Sequence, residues 1–137
     1  MPLPNEIFLS HSSGDHEFVE RLGSTLRSHG LPVWYSATSI VGAQEWHDEI
    51  GAALARCDWF VVVLSPRSVE SMWVQRELIF ALRQNRFQRR IVPVLLEPCN
   101  IEQLSWVLAS LQIIDFTTGA DEGYRNLLRV RGIGFRV

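Results

Sequence analysis

Lysine is absent from this sequence, and all thirteen basic side chains are arginine. A Walker-type phosphate-binding loop requires a lysine, as do the phosphate-contacting strand of a protein kinase and any mechanism that forms a Schiff base with the protein. The GxGxxG pattern of a dinucleotide-binding Rossmann fold is missing as well. These absences exclude several common classes of nucleotide-binding or covalent enzyme.

Long hydrophobic runs are also lacking. The longest apolar stretch, Trp59–Leu64, is far shorter than the ~20 residues that span a bilayer. The first residues, MPLPNEIF, lack the basic and apolar regions of a signal peptide. The formal net charge of −2 gives no electrostatic basis for binding nucleic acid. We therefore expect a soluble cytoplasmic protein with neither membrane nor nucleic acid among its partners.

Cysteine is scarce, and the two residues, Cys57 and Cys99, belong to no CxxC motif or cysteine–histidine cluster. The four histidines show no metal-binding spacing either, so no metal site is predicted. Without an export signal a structural disulfide is not expected, and both thiols are predicted to be buried and free.

The chain does contain a regular alternation of apolar strands and amphipathic helices. Strands are predicted at residues 6–10, 32–36, 58–65, 89–97 and 112–116, and the third is continuously apolar, as expected for a central strand covered on both faces. The pattern predicts an α/β flavodoxin-like three-layer sandwich, with a five-stranded parallel sheet and helices on both faces. The length predicts a single domain over residues 1–137, with a core over about residues 5–130.

Local features refine this prediction. Pro93 in the fourth strand lacks a backbone donor and so indicates a sheet edge or a bulge. Asp15 or Ser13 is predicted to cap the first helix, and Ser71 the third. Apolar spacing over residues 104–111 predicts one continuous fourth helix. A solvated face is predicted, rather than an RNA site, for the basic cluster of Arg83, Arg86, Arg89 and Arg90.

Chemistry is expected at the carboxyl ends of the strands, where ligands bind in open parallel sheets. Just beyond the third strand, Trp73 and Glu77 are four residues apart and lie on one side of a helix. From spacing alone, Glu77 is either a solvated helix residue or a poorly solvated carboxylate that faces a cation. Trp73 is either a core residue or a ligand platform. His11 is the histidine in the first loop at this edge, and neighbouring serines favour capping over nucleophilic roles.

Four ordered segments resemble the Toll/interleukin-1 receptor (TIR) domain in its bacterial form. IFLSHSSGD resembles the family's first strand with its serine-rich loop, and GLPVWYSATSIVGAQEW resembles its second strand and BB loop. CDWFVVVLSPRSVESMWVQREL resembles the central strand, its Ser-Pro turn and the WxxxE motif of Trp73 and Glu77, and RRIVPVLLE resembles the fourth strand. The resemblance covers about residues 5–130.

The resemblance implies an activity. Many bacterial, plant and some animal TIR domains cleave NAD+ at the nicotinamide–ribose bond, using the helix glutamate that Glu77 matches. Bacterial antiphage signalling is the expected setting, with NAD+ as the substrate and no separate cofactor. The residues placed around the substrate are Ser10, His11, Ser36, Trp46 and Trp73. Self-association is implied through the BB loop, with contacts from Ala37, Ser39, Ile40, Val41 and Gly42.

The sequence leaves the product and one alternative function open. Attack by water gives ADP-ribose, whereas attack by the adenine or a ribose hydroxyl of the same molecule gives a cyclic isomer. The alternative is a non-catalytic TIR adaptor or virulence mimic that acts through TIR–TIR contacts, although the retained Glu77 favours the enzyme. Because TIR domains usually accompany a sensor, a separate sensor or effector is an expected partner. A phospho-acceptor receiver on the same fold is excluded, since it needs a lysine and an acidic cluster at the first strand.

Overall fold

The computed structural model describes residues 6–35 and 43–130, and for residues 43–49 it describes the backbone alone. The strands are β1 (Ile7–Ser10), β2 (Val33–Tyr35), β3 (Trp59–Leu64), β4 (Ile91–Leu95) and β5 (Ile114–Asp115). They form one sheet in the order β2-β1-β3-β4-β5, and every neighbouring pair is parallel. This order confirms the predicted flavodoxin-like fold and makes β1 and β3 direct neighbours.

Helices cover both faces of the sheet. They are α1 (His16–Ser28), α2 (Ala43–Arg56), α3 (Met72–Leu82), α4 (Ile101–Leu104) and α5 (Ala120–Leu128). Alternate residues of β3 divide between two apolar clusters, because successive side chains of a strand point to opposite faces. One cluster contains residues of α1 and α5, and the other contains residues of α2, α3 and α4.

The start of α1 differs from the prediction. Ser12 Oγ accepts a hydrogen bond from the Gly14 N–H and so begins a 3-10 turn over Ser13–Asp15. Asp15 occupies the N-cap position of α1, but its side chain makes no capping hydrogen bond. The predicted capping by Ser13 or Asp15 was therefore wrong, because the Asp15 carboxylate is turned inward, where it is 3% exposed.

Pro93 does not mark an edge strand, because β4 lies between β3 and β5. The Leu95 carbonyl accepts from the Phe116 N–H and therefore faces β5. Pro93 is two residues before Leu95, so its backbone nitrogen also points towards the β5 side. The pairing of β5 with β4 begins only at Ile114, which lies opposite Val94, so no β5 residue is paired with Pro93. The edge prediction was wrong because the missing donor falls where the short neighbouring strand has not yet begun.

Where the sequence predicts one continuous fourth helix, the structure has two short helices. α4 ends at Leu104, and a 3-10 helix follows over Trp106–Ser110. Ser105 separates them in an extended conformation, with its Oγ accepting a hydrogen bond from the Val107 N–H. This hydrogen bond satisfies the Val107 N–H at the start of the 3-10 helix. Ser105 therefore caps a new helix, and α4 does not continue through it.

The arginine cluster is not uniformly solvated. Arg83, Arg89 and Arg90 are exposed, as predicted, but Arg86 is half-buried. Its guanidinium donates to the carbonyl oxygens of Cys57, over 2.9 Å, and Leu54. Arg86 therefore satisfies carbonyl groups at the end of α2, a role that the solvated-face prediction missed.

Both cysteines are free thiols, with Cys57 buried and Cys99 half-buried. Burial raises the pKa of Cys57 to about 12, so this thiol stays protonated at neutral pH. In the part of the chain that the structure describes, no group of three histidine, cysteine or acidic residues is arranged to hold a metal ion. None of the helices described there combines the length and apolar character needed to cross a membrane.

Candidate active site

Ser10 and Glu77 meet at the carboxyl end of the sheet. Ser10 ends β1 and Glu77 lies within α3, yet Ser10 Oγ donates a hydrogen bond of 2.6 Å to Glu77 Oε1. Ser10 is fully buried and Glu77 is 3% exposed. The interpretation of Glu77 as a solvated helix residue is therefore wrong, and two of the predicted site residues are in direct contact.

The anchoring of α3 explains why Glu77 turns inward. Ser71 caps the helix as predicted, with its Oγ accepting from the Val74 N–H. Val74, Leu78 and Ala81 are buried at helical spacing against the apolar cluster on this face of the sheet. Glu77 directly precedes Leu78, so the packing of the apolar stripe carries its carboxylate to the sheet as well.

Glu77 also lines a cavity of about 170 Å³ between α2 and α3. Most of the other lining groups are apolar, and the full set comprises Ile50, Gly51, Leu54, Trp73, Arg76, Glu77 and Phe80. Trp73 is half-buried, packs against the apolar cluster and lines this cavity, so it serves both as core support and as wall. A carboxylate with such walls is poorly solvated and favours a cationic partner.

His11 follows Ser10 and is 5% exposed. Its ring meets Tyr35 edge-on, with the two centroids 6.4 Å apart. Burial lowers the pKa of His11 below 6.5, so the ring is neutral at pH 7. Among the residues that the structure describes, none provides a hydrogen-bond partner for the buried Nδ1. The His11 ring thus lies beside Tyr35, which packs against the apolar cluster that contains residues of α1 and α5, so His11 is next to Ser10 in the chain but is not brought into contact with Glu77.

A second buried carboxylate was missed by sequence reasoning. Asp15 accepts hydrogen bonds from Ser65 Oγ, over 2.5 Å, and from Arg67 Nε, over 2.7 Å. Arg67 also pairs with Glu97. Contacts with Glu97 and then Asp15 raise the pKa of the Arg67 guanidinium. A signal was present, because Ser65 ends the third predicted strand as Ser10 ends the first, but serine at strand ends is too common to identify a pair.

Several predicted site residues cannot be placed. Ser36, Ala37, Ser39, Ile40, Val41 and Gly42 lie outside the described residues, and so does the side chain of Trp46. Their assignment to the substrate and to the BB loop remains a prediction.

Comparison with known proteins identifies a family over most of the chain. The family model described as "TIR domain" matches residues 7–128. The chain is 35% identical to NAD(+) hydrolase PdTIR of Paracoccus denitrificans over 94 residues, which are 66% of this chain and 31% of that protein. It is 30% identical to NAD(+) hydrolase TcpA of a Theionarchaea archaeon over 129 residues, 91% of this chain and 39% of that protein.

A third relative bears a different product in its name. The chain is 30% identical to 2' cyclic ADP-D-ribose synthase AbTIR of Acinetobacter baumannii over 91 residues, 65% of this chain and 34% of that protein. The chain thus spans between 31% and 39% of the length of these three relatives. The prediction of a single domain over residues 1–137 remains a prediction.

Solved structures share the fold. The TIR domain of the Toll-related receptor TRR-2 from Hydra magnipapillata aligns with a TM-score of 0.73 at 20% identity, covering 90% of this chain and 94% of that one. The TIR domains of the activated Roq1 resistosome align with a TM-score of 0.70 at 20% identity, covering 91% of this chain and 98% of that one. These likenesses concern the fold alone.

Proposed function

The chain belongs to the TIR domain family, and from that premise we propose that it cleaves NAD+ at the bond between nicotinamide and ribose. The observation that carries the proposal is the buried Glu77 carboxylate, held by Ser10 at an apolar cavity. Relatives named NAD(+) hydrolase and 2' cyclic ADP-D-ribose synthase support the same substrate.

A single carboxylate suits this reaction. Glycosidases usually require an acid to protonate the leaving oxygen and a second carboxylate on the opposite side. Nicotinamide leaves NAD+ as a neutral molecule, so no general acid is needed, and the reaction needs no further cofactor. The remaining work is to orient the ribose and to stabilise a cation with oxocarbenium character, which a carboxylate in a water-poor cavity can do.

Each residue then has a defined role. Glu77 accepts hydrogen bonds from the ribose hydroxyls and faces the developing positive charge. Ser10 fixes the orientation of the Glu77 carboxylate through its 2.6 Å hydrogen bond. Trp73 walls the cavity, and the neutral His11 ring contacts the nicotinamide or ribose. Ser36 and Trp46, on the segment that follows β2, complete the substrate contacts.

The captured nucleophile decides the product. Water gives ADP-ribose, and an adenine nitrogen or ribose hydroxyl of the same molecule gives a cyclic ADP-ribose isomer. We further propose that the protein acts in cytoplasmic antiphage signalling and is activated by self-association through residues 37–42. In that setting a separate sensor or effector would supply the trigger.

The test is chromatography of NAD+ incubated with the purified protein over a wide range of protein concentration. We expect nicotinamide release that rises more steeply than linearly with protein concentration, because assembly completes the site. The accompanying product, ADP-ribose or a cyclic isomer, identifies the nucleophile in the same experiment. Glu77→Gln should lower the rate about a thousandfold, the loss expected when a charge-stabilising group is removed.

The control for folding is the thermal unfolding profile of Glu77→Gln, which should stay close to that of the unaltered protein. Nicotinamide release at an undiminished rate by Glu77→Gln would exclude the mechanism. Absence of release at every concentration, together with self-association, would instead favour the non-catalytic adaptor.

A further inference from the structure

Arg76 directly precedes Glu77 in α3 and lines the same cavity. Residues 73, 76, 77 and 80 fall on one stripe of the helix, because positions three and four apart are neighbours on a helix surface. The Arg76 side chain is exposed, and its guanidinium carbon lies 5.3 Å from the centroid of the Trp73 ring. An arginine therefore stands at the solvent side of the cavity that holds the buried carboxylate.

Contact with Trp73 makes Arg76 a prepared anion-binding group. A guanidinium over an indole face is held by cation–π attraction, which restricts its orientation. The ion pairs in the described part of the chain involve His16, Arg56 and Arg67. The planar fork of a guanidinium matches the paired oxygens of a phosphate better than an ammonium group does.

Gly51 lines the cavity from the α2 side. It lies inside α2, where glycine is less favourable than alanine. A Cβ atom added there would have no neighbour within 4 Å, so packing does not require glycine. Gly51 from α2 and Arg76 from α3 thus line the same cavity, and the space next to the Gly51 Cα is open.

The size of the cavity indicates what this space receives. Pockets that enclose a drug-sized ligand measure about 300–1,000 Å³, and the cavity here measures about 170 Å³. It can enclose only part of a dinucleotide, so the rest of the dinucleotide must extend out of the cavity along the residues that line its opening. In NAD+ the reacting ribose carries nicotinamide at C1′ and the diphosphate at C5′. If that ribose contacts Glu77, its 5′-diphosphate lies within reach of the adjacent Arg76, which is the basic residue among those that line this cavity.

We propose that Arg76 binds the diphosphate of the dinucleotide and makes the site selective for phosphate-bearing substrates over nucleosides. This inference rests on the proposed cleavage of NAD+. The contact lies away from the breaking bond, so it strengthens substrate and transition-state binding equally. Its loss therefore raises KM and leaves kcat nearly unchanged.

The test compares NAD+ with nicotinamide riboside, which carries the same scissile bond and no phosphate. Arg76→Ala should lower the ratio of kcat/KM for NAD+ to kcat/KM for the riboside about ten- to a hundredfold, the loss expected for a charge-assisted hydrogen-bonded pair. Arg76→Lys should restore part of this ratio, because lysine keeps the charge and loses the planar fork. The matched control is Arg83→Ala, which removes an exposed arginine from the end of the same helix and should change the ratio less than twofold.

A binding experiment separates this inference from the proposed catalysis. ADP-ribose and adenosine are titrated into Glu77→Gln and into Glu77→Gln with Arg76→Ala. We expect the added Arg76→Ala substitution to raise the Kd for ADP-ribose about ten- to a hundredfold more than it raises the Kd for adenosine. Equal losses for both ligands, or an equal effect of Arg83→Ala, would overturn the role of Arg76. Selective loss of ADP-ribose binding in a protein that releases no nicotinamide would support Arg76 and contradict only the proposed cleavage.

Discussion

The two buried carboxylates, Glu77 and Asp15, have similar surroundings and different partners. Each is 3% exposed, and each accepts a hydrogen bond from a serine at the carboxyl edge of the sheet. Asp15 is also paired with Arg67, so its charge is compensated by a named cation of the fold. Glu77 instead lines the largely apolar cavity between α2 and α3. The difference separates a carboxylate whose partners Ser65 and Arg67 belong to the fold from one that also lines a cavity, where we propose that the ribose binds.

The two serine–carboxylate contacts cross between neighbouring strands. Ser10 at the end of β1 reaches the helix that follows β3, and Ser65 just after β3 reaches Asp15 in the turn that follows β1. This exchange is possible because β1 and β3 are adjacent in the sheet. The two contacts together tie the loops that frame the proposed active site.

The largest expected difference is in stability, and the matched changes are Asp15→Asn and Glu77→Gln. Asp15→Asn removes the charge that pairs with Arg67 and leaves one acceptor oxygen where the carboxylate has two, so the hydrogen bonds from Ser65 and Arg67 cannot both be kept. We expect the free energy of unfolding to fall by about 2 kcal/mol, the usual effect of an unsatisfied buried polar group. In Glu77→Gln the side chain keeps its size and its amide oxygen still accepts from Ser10, so the change in the free energy of unfolding should be smaller, about 0.5 kcal/mol.

Urea denaturation of both variants measures the difference. Folded Asp15→Asn should retain most of the nicotinamide-releasing activity that Glu77→Gln lacks. The contrast between the two carboxylates would be lost if Glu77→Gln were destabilised as strongly as Asp15→Asn.

The second expected difference concerns the two serines. Ser65→Ala removes the donor to Asp15 and also an acceptor for the Ser68 N–H, so stability should fall by about 1–2 kcal/mol. Ser10→Ala removes one hydrogen bond to Glu77 and should lower kcat about tenfold, which corresponds to about 1.4 kcal/mol in the transition state. Measurement of kcat and of urea stability for both variants should place the larger activity loss in Ser10→Ala and the larger stability loss in Ser65→Ala. The opposite assignment would contradict the division of roles.

The sequence predicted the fold and one of the two carboxylates. Alternating strands and helices are local patterns, so the sheet and its helices follow from periodicity, and the resemblance identified Glu77. Asp15 was predicted to cap a helix because aspartate commonly does so at that position. Its actual partners, Ser65 and Arg67, lie 50 and 52 residues away in the chain. Local pattern carries no information about contacts at that separation, and the partners follow only from strand order.

The roles of two residues near strand and helix ends were not predicted from the sequence, for a related reason. Arg86 belongs to a basic cluster, and composition predicted solvent exposure for every member. Its contact with the Leu54 and Cys57 carbonyls depends on how the end of α2 lies beside the segment after α3. Pro93 was misplaced because its position relative to β5 depends on where that short strand begins.

The smallest expected effect concerns His11, which follows Ser10 and is influenced by the charges of Asp15 and His16. Folding lowers the pKa of His11 below 6.5, chiefly through burial. Below about pH 6.5 the unfolded chain therefore takes up a proton that the folded protein does not, and the free energy of unfolding falls as the pH decreases. The slope for one proton is at most about 1.4 kcal/mol per pH unit, and we expect a loss of about 1 kcal/mol or less between pH 7 and 5.5.

His11→Gln should remove this part of the pH dependence in urea denaturation at pH 7 and 5.5. The control is His16→Gln, because His16 is 65% exposed at its side chain and pairs with Glu20 across one turn of α1. If His16→Gln altered the slope as much as His11→Gln, burial of His11 would not be the cause. A selective effect of His11→Gln would show that a neutral ring beside Ser10 is part of the folded state.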